Sequence, residues 1–136
     1  MDLTSSLAVA ASGMTAQSAR IKLITQNIAN ADSTATAPGQ DPYRRQIISF
    51  KSVYDSTVGA QVVKVAGISN DTSEFRRRFD PTHPAADASG YVTLPNVNPI
   101  TETADLQEAQ RSYQASLSAM DLVKTMMSQT MSEIKA

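Results

Sequence analysis

The sequence predicts an α+β chain: long N- and C-terminal α-helices packed as an antiparallel, coiled-coil-like pair, with a small β-rich insert and long loops between them. Three observations carry that prediction. Apolar residues recur at steps of three and four along residues 3–31 and again along 100–136. Residues 43–97 are instead rich in β-branched and aromatic side chains broken by turn formers. No Gly or Pro follows Pro99. The expected division is an N-terminal helix over 1–31, a loop and β-rich insert over 32–99, and a C-terminal helix over 100–136. The terminal helices form one helical core domain, with the insert at one end of the pair.

In the N-terminal helix the apolar line is Leu3, Leu7, Ala10, Met14, Ile21, Ile24, Ile28 and Ala31, and Gln17 alone interrupts it. Thr4, Ser5 and Ser6 are candidate caps. Gly13 in mid-helix costs about 1 kcal/mol relative to Ala, which close approach of a neighbouring helix would offset. Ala8, Ala10, Ala11, Ser12 and Ala16 keep the surrounding side chains small, a pattern that suits packing among several neighbours. Residues 31–40 show no period and read as a loop. In the middle, Ile47-Ile48, Phe50, Val53-Tyr54, Val58, Val62-Val63, Val65 and Ile68 favour strands. Gly59, Gly67, Asn70-Asp71 and Ser89-Gly90 supply turns, and Tyr91-Val92-Thr93-Leu94 is a further short strand.

The C-terminal helix opens with Asn98 as N-cap and Pro99 at the first helical position, where the missing N–H has no intrahelical partner to lose. Glu102, Asp105 and Glu108 place negative charge toward the positive end of the helix dipole, and Lys135 sits at the other end. Its seam is Leu106, Ala109, Tyr113, Leu117, Met120, Val123, Met127, Met131 and Ile134. Burying each side chain of such a seam returns ~1.5–3 kcal/mol, against ~1–2 kcal/mol of backbone entropy for every residue ordered. A helix with this seam left in water is therefore marginal, and the stripe calls for the side of another helix.

Composition excludes much. The formal charge of the 136 residues is −1, with 12 basic and 13 acidic side chains, so nothing points to nucleic acid or an anionic membrane surface. Cysteine is absent, which removes disulfides, thiolate metal sites and Cys nucleophiles. No run of about 18 apolar residues is present to span a membrane, and direct membrane insertion is not expected. The first residues lack the basic start and apolar core of a secretory signal, so these signals alone indicate the cytoplasm. Asp80, His83 and Asp87 form a weak metal or acid–base pattern around the single histidine, more readily explained as a Pro-bounded loop held by local hydrogen bonds. Arg76-Arg77-Arg78 between Phe75 and Phe79 is the one basic run, and strand alternation would put Phe75, Arg77 and Phe79 on one face. A solvated face or subunit contact fits it better than nucleic acid. Phosphate-cradling Gly loops and the nucleophile elbow are missing. No catalytic, cofactor-binding or metal-ligating residues are expected. The methionines Met120, Met126, Met127 and Met131 fit adaptable packing at an assembly interface.

Several blocks together resemble a known family. They are Ala11-Ser12-Gly13-Met14 and Asn27-Ile28-Ala29-Asn30-Ala31; Pro42-Tyr43-Arg44-Arg45; Asp80-Pro81-Thr82-His83-Pro84-Ala85-Ala86-Asp87; Gly90-Tyr91-Val92-Thr93-Leu94-Pro95-Asn96-Val97-Asn98; and Arg111-Ser112-Tyr113-Gln114-Ala115. In this order the set resembles the flagellar rod and hook proteins, most closely those of the proximal rod, over essentially the whole chain. Thr103 and Ser116 depart from the pattern, which has Met and Asn there. The resemblance implies a structural subunit, not an enzyme, exported unfolded and without a cleavable signal by the flagellar type III apparatus into the periplasmic rod of the basal body. It also implies partners: copies of itself, proximal and distal rod proteins, the rod-to-export-gate adaptor and the MS-ring. The N-terminal seam (Leu3, Leu7, Ala10, Gly13, Met14, Ile21, Ile24, Ile28) and the C-terminal seam are then subunit interfaces, buried on assembly. An alternative keeps the architecture without polymerisation: an adaptor whose helical hairpin and small β-domain bind one partner.

Overall fold

In a computed structural model, which describes residues 2–136, helix α1 runs over Leu3–Ala29. Met1, the first residue of the expected N-terminal segment, lies outside the described residues. The cap is Asp2, two residues before the first of the expected Thr4–Ser6. Its carboxylate accepts the Ser5 N–H at 2.6 Å, and that bond first among its causes holds Asp2 below the usual carboxylate range.

Strands β1 (Gln46–Asp55) and β2 (Ala60–Asn70) form a two-stranded sheet. The four intervening residues can only reverse the chain, so the strands are antiparallel. Asp55 accepts the N–H groups of Thr57 and Val58 through its side chain and that of Gly59 through its carbonyl. Gly59 takes φ 71°, as the turn demands. Gly67, read as a turn, lies inside β2 instead; the neighbouring β-branched residues outweigh it. Strands β3 (Arg76–Phe79) and β4 (Tyr91–Leu94) pair antiparallel in a second sheet, with Phe79 opposite Tyr91 and Arg76 opposite Leu94. Helix α2 spans Pro99–Lys135. Its expected cap is present: Asn98 accepts the Ile100 N–H at 3.0 Å.

Two compact units partition the chain, and both helices run through both. The first comprises Met1–Ile21, Ser49–Gly67 and Gln107–Ala136. Its core is small: Ala16, Ala60, Val62 and Ala109. Here the hairpin runs beside α1, where the sequence suggests an insert at one end of the helix pair. The Ser5 hydroxyl donates to the Val58 carbonyl at 2.5 Å, and the Val63 N–H donates to the Ser12 hydroxyl at 3.1 Å. That second neighbour accounts for the small residues around the first turns of α1. The other unit, Lys22–Ile48 and Ile68–Leu106, is centred on Leu23, Ile24, Ala31, Val92, Leu94 and Val97. Among the described residues no helix is long and apolar enough to cross a membrane.

Candidate functional site

Within the first unit the two seams meet each other. A Cβ built on Gly13 would stand 3.1 Å from the Ser116 hydroxyl, so α2 approaches α1 closely where the sequence anticipates it. Two turns further along, Arg20 reaches Glu108 at 3.9 Å. These contacts fix an antiparallel register. Leu3, Leu7, Ala10, Met14 and Ile21 are half-buried, as are Tyr113, Met120, Val123 and Met127, while Ala109 is fully buried.

Three seam residues of α2 stand outside this pairing. Leu117 is exposed because Ser116, one residue earlier, takes the place facing Gly13. Met131 and Ile134 are 57% and 78% exposed, since α1 begins only at Leu3, which already shares a groove with Met127 and Met131. Beyond Ala109 no described residue of α2 is fully buried. Ala115, Ala119, Leu122 and Met126 add a second exposed apolar stripe at helical spacing on another side of the helix.

The second unit is held by a buried polar hub. Asn27, 1% exposed, has every hydrogen-bonding position of its amide filled. Its Nδ2 donates to the Gln46 carbonyl at 2.9 Å and to Glu102 at 3.2 Å, and its Oδ1 accepts the Tyr43 hydroxyl at 2.8 Å and the Gln46 N–H at 3.0 Å. Toward Gln46 the side chain therefore does what a neighbouring strand would do. Glu102, also 1% exposed, takes the second donor of its pair from the Arg45 guanidinium. Arg45 continues to Asp71 at 3.1 Å and toward Asp105 at 3.8 Å. Its N–H donates to Asn96 at 2.7 Å, and Asn96 in turn donates to the Asp71 carbonyl at 3.1 Å. Burial opposes the Arg45 charge, but Glu102 and then Asp71 outweigh it and raise its pKa. Burial, with the Glu102 charge second, pushes the Tyr43 phenol up. Asp71 is held low chiefly by the Ser73 N–H. The hub thus ties the last turn of α1, the start of β1, the segment after β2 and the first turn of α2 into one charge-assisted network. It has no open side at which a substrate would meet the carboxylate.

The Asp80–Asp87 segment is a self-bonded loop. His83 Nδ1 accepts the Ala85 N–H at 3.0 Å, leaving Nε2 to donate to Thr34 at 3.2 Å. Asp80 accepts the Thr82 hydroxyl, and Asp87 accepts the N–H groups of Ser89 and Tyr91 and an Arg77 N–H at 2.7 Å. The Tyr91 N–H is the leading reason that the Asp87 carboxyl is depressed. Each arginine of the run is engaged: Arg76 with the carbonyls of Pro95 and Ala31, Arg77 with Asp87 and over the Tyr91 ring, Arg78 near Asp80. Arg77 and Phe79 share a face, as alternation predicts. Gly90, at φ 83°, lies where the Phe79 ring leaves no room for a Cβ. Asn30 closes α1 by donating to the Gln26 carbonyl, and Arg44 lies 4.1 Å over the Phe75 ring. Ile24 is buried and Ile28 half-buried, Pro95 is fully buried, Pro81 packs by Gly90, and Pro84, Arg111 and Gln114 are exposed.

The comparisons with known proteins place this helix pair and its hub in a family. Residues 7–36 match the family "Flagella basal body rod protein", and residues 88–133 match "Flagellar basal body rod FlgEFG protein C-terminal". The chain is 41% identical over 134 residues to the flagellar basal-body rod protein FlgC of Agrobacterium fabrum, covering 98% of this chain and 96% of that one. Against FlgC of Bacillus subtilis the identity is 39%, covering 90% and 91%; against FlgC of Salmonella typhimurium it is 38%, with the same shares. The chain belongs to the FlgC family of flagellar basal-body rod proteins. Members of this FlgC family are structural components of the flagellar basal body rather than enzymes. The FlgC motif blocks read in the sequence supply Asn27, Tyr43, Arg45 and Asn96 to the hub. Sequence reasoning missed Glu102 and Asp71 as their partners. A signal existed for Glu102: it lies seven residues before Ala109 on the seam line, where an acid needs a buried cation.

Proposed function

We propose that this chain is a subunit of the proximal rod, polymerising through its terminal helices into a hollow periplasmic shaft that transmits torque and lets export substrates pass. In this reading it leaves the cytoplasm unfolded by the flagellar type III route, and its neighbours are its own copies, the other proximal and distal rod proteins, the rod-to-export-gate adaptor and the MS-ring. The observation that carries the proposal is the uncovered apolar surface of α2: Leu117 midway along the seam, Met131 and Ile134 at its end, and the second stripe through Leu122 and Met126. A stripe of this length on a helix already paired along one side marks an interface with another chain.

The test uses Leu122→Asp and Met126→Asp. Both side chains are exposed in the single chain, so the substitutions leave its own fold intact. Buried at a subunit contact, an unpaired carboxylate costs several kcal/mol, and a helical polymer repeats that penalty at every copy. Export should survive, because the exported chain is unfolded. The expected result is variant protein in the periplasm with basal bodies that lack a complete rod. Complete rods containing either variant would refute assembly through this surface.

A further inference from the structure

The two edges of the β3/β4 sheet differ. In an antiparallel ladder, facing residues alternate between pairs that exchange main-chain hydrogen bonds and pairs whose N–H and C=O groups point outward. The Asp80 N–H donates to the Gly90 carbonyl at 2.9 Å. Bonded pairs therefore fall at Arg78 with Val92 and Arg76 with Leu94, and outward pairs at Phe79 with Tyr91 and Arg77 with Thr93. On the β4 side Tyr91 uses both outward groups within the chain: its N–H donates to the Asp87 carboxylate and its carbonyl accepts the Asp87 N–H, each at 2.9 Å. On the β3 side no third strand follows. The outward N–H and C=O groups of Arg77 and Phe79 make no hydrogen bond among the described residues, and every residue of β3 is exposed.

This edge is open but held in shape. Phe79 packs edge-on against Tyr91, with ring centroids 5.3 Å apart, and lies over Gly90, which has no side chain to displace it. Arg77 is tied to Asp87 at 2.7 Å and lies over the Tyr91 ring. A strand fixed in this way offers its main-chain groups to an incoming extended segment at low ordering cost.

The arginines select what can add there. Arg76 bonds only to carbonyls, and the carboxylate that Arg78 approaches stays 3.9 Å away, so neither charge is closely neutralised. The β3 strand of a second copy, laid edge to edge, would set these arginines beside three more, which disfavours self-pairing. Directly opposed residues share a face of the sheet. An added strand therefore places side chains beside Arg76 and Arg78 on one face, where carboxylates fit, and beside Arg77 and the 62% exposed Phe79 on the other, where apolar side chains fit. We propose that the outer edge of β3 docks an extended segment of another protein in which acidic and apolar residues alternate, as a third strand. This goes beyond assembly through the terminal helices and does not rest on it, since no residue of either helix takes part.

Two synthetic peptides test it in the full chain, one alternating valine with glutamate and the other valine with lysine, with amide exchange followed by nuclear magnetic resonance. The glutamate peptide should slow exchange at the Arg77 and Phe79 amides and leave the Arg78 amide, already in the ladder, unchanged. It should bind about tenfold more tightly than the lysine peptide. Arg78→Glu, at a 55% exposed side chain, should keep the circular-dichroism spectrum and cancel or reverse that preference. Arg78→Gln should narrow it, so the test does not depend on the reversed charge being tolerated. No slowing at the two amides with millimolar peptide, equal binding of the two peptides, or an unchanged preference in the Arg78 variants overturns the proposal. So does slowing that develops in the chain alone as its concentration rises, which would make a second copy the occupant.

Discussion

Replacing Asn27 with Ala should destabilise the second unit more than any other single truncation of a polar side chain in the chain. The amide makes four hydrogen bonds, to the Tyr43 hydroxyl, both backbone groups of Gln46 and the Glu102 carboxylate. At ~0.5–1.5 kcal/mol net for each, the loss is about 2–6 kcal/mol. The upper half of that range is expected, because Asn27 and Glu102 are both 1% exposed and the abandoned groups have no route to water. Asn30→Ala is the control from the same motif. Asn30 donates to Gln26 and accepts from Ser33 at the edge of the fold, so its removal should cost about 1 kcal/mol or less. Urea unfolding of the purified chain, followed by far-ultraviolet circular dichroism, measures both. A loss below about 1 kcal/mol for Asn27→Ala, or equal losses for the two variants, would refute the claim that the hub holds this unit together.

Other consequences follow from the same geometry. Gly13→Ala should be nearly neutral in thermal unfolding, because the gain in helix propensity of about 1 kcal/mol is set against a small retreat of the Ser116 hydroxyl from its 3.1 Å contact; Gly13→Leu should lower the melting temperature and abolish swimming, since α2 must move away. Hydrogen exchange should find the slowest amides around Leu23–Asn27 and Glu102–Ala109, where burial is greatest, and rapid exchange over the exposed last turns of α2 after Met131; uniform protection along α2 would contradict the burial gradient. The depressed carboxyl of Asp71 binds its proton more readily in the unfolded chain. Its contribution to stability is therefore complete above the ordinary carboxylate range near pH 4 and is lost as pH falls through its lower folded value. Asp71→Asn should flatten that acid limb of the stability profile, and an unchanged limb would show that Asp71 is not responsible.

Much of the fold is local and was legible. The Asn98-Pro99 start of α2 and the turns at Gly59 and Gly90 depend on residues within a few positions of one another, and each is found where the sequence places it. The illegible parts depend on distant partners or on a tie between competing signals. Glu102 looks like a solvent-facing charge at a helix start until Arg45 and Asn27 are brought to it from elsewhere in the chain. Asp2, not the hydroxyl residues that follow, caps α1, because the helix starts two residues earlier than composition indicates. β3 is built from three arginines and a phenylalanine, with no apolar alternation to announce it; its pairing with β4 and the engagement of each guanidinium make it a strand. Leu117 belongs to the heptad line, but the closeness allowed by Gly13 gives its place to Ser116.

The assembly reading is tested most directly by a side-chain-resolution reconstruction of the rod in intact basal bodies containing this chain. The account predicts α1 and α2 paired in the register set by Gly13 against Ser116, the Asn27–Glu102 hub unchanged, and Leu117, Leu122, Met126, Met131 and Ile134 covered by neighbouring subunits. Finding those five side chains facing water, either in the lumen or on the outer surface, would contradict it.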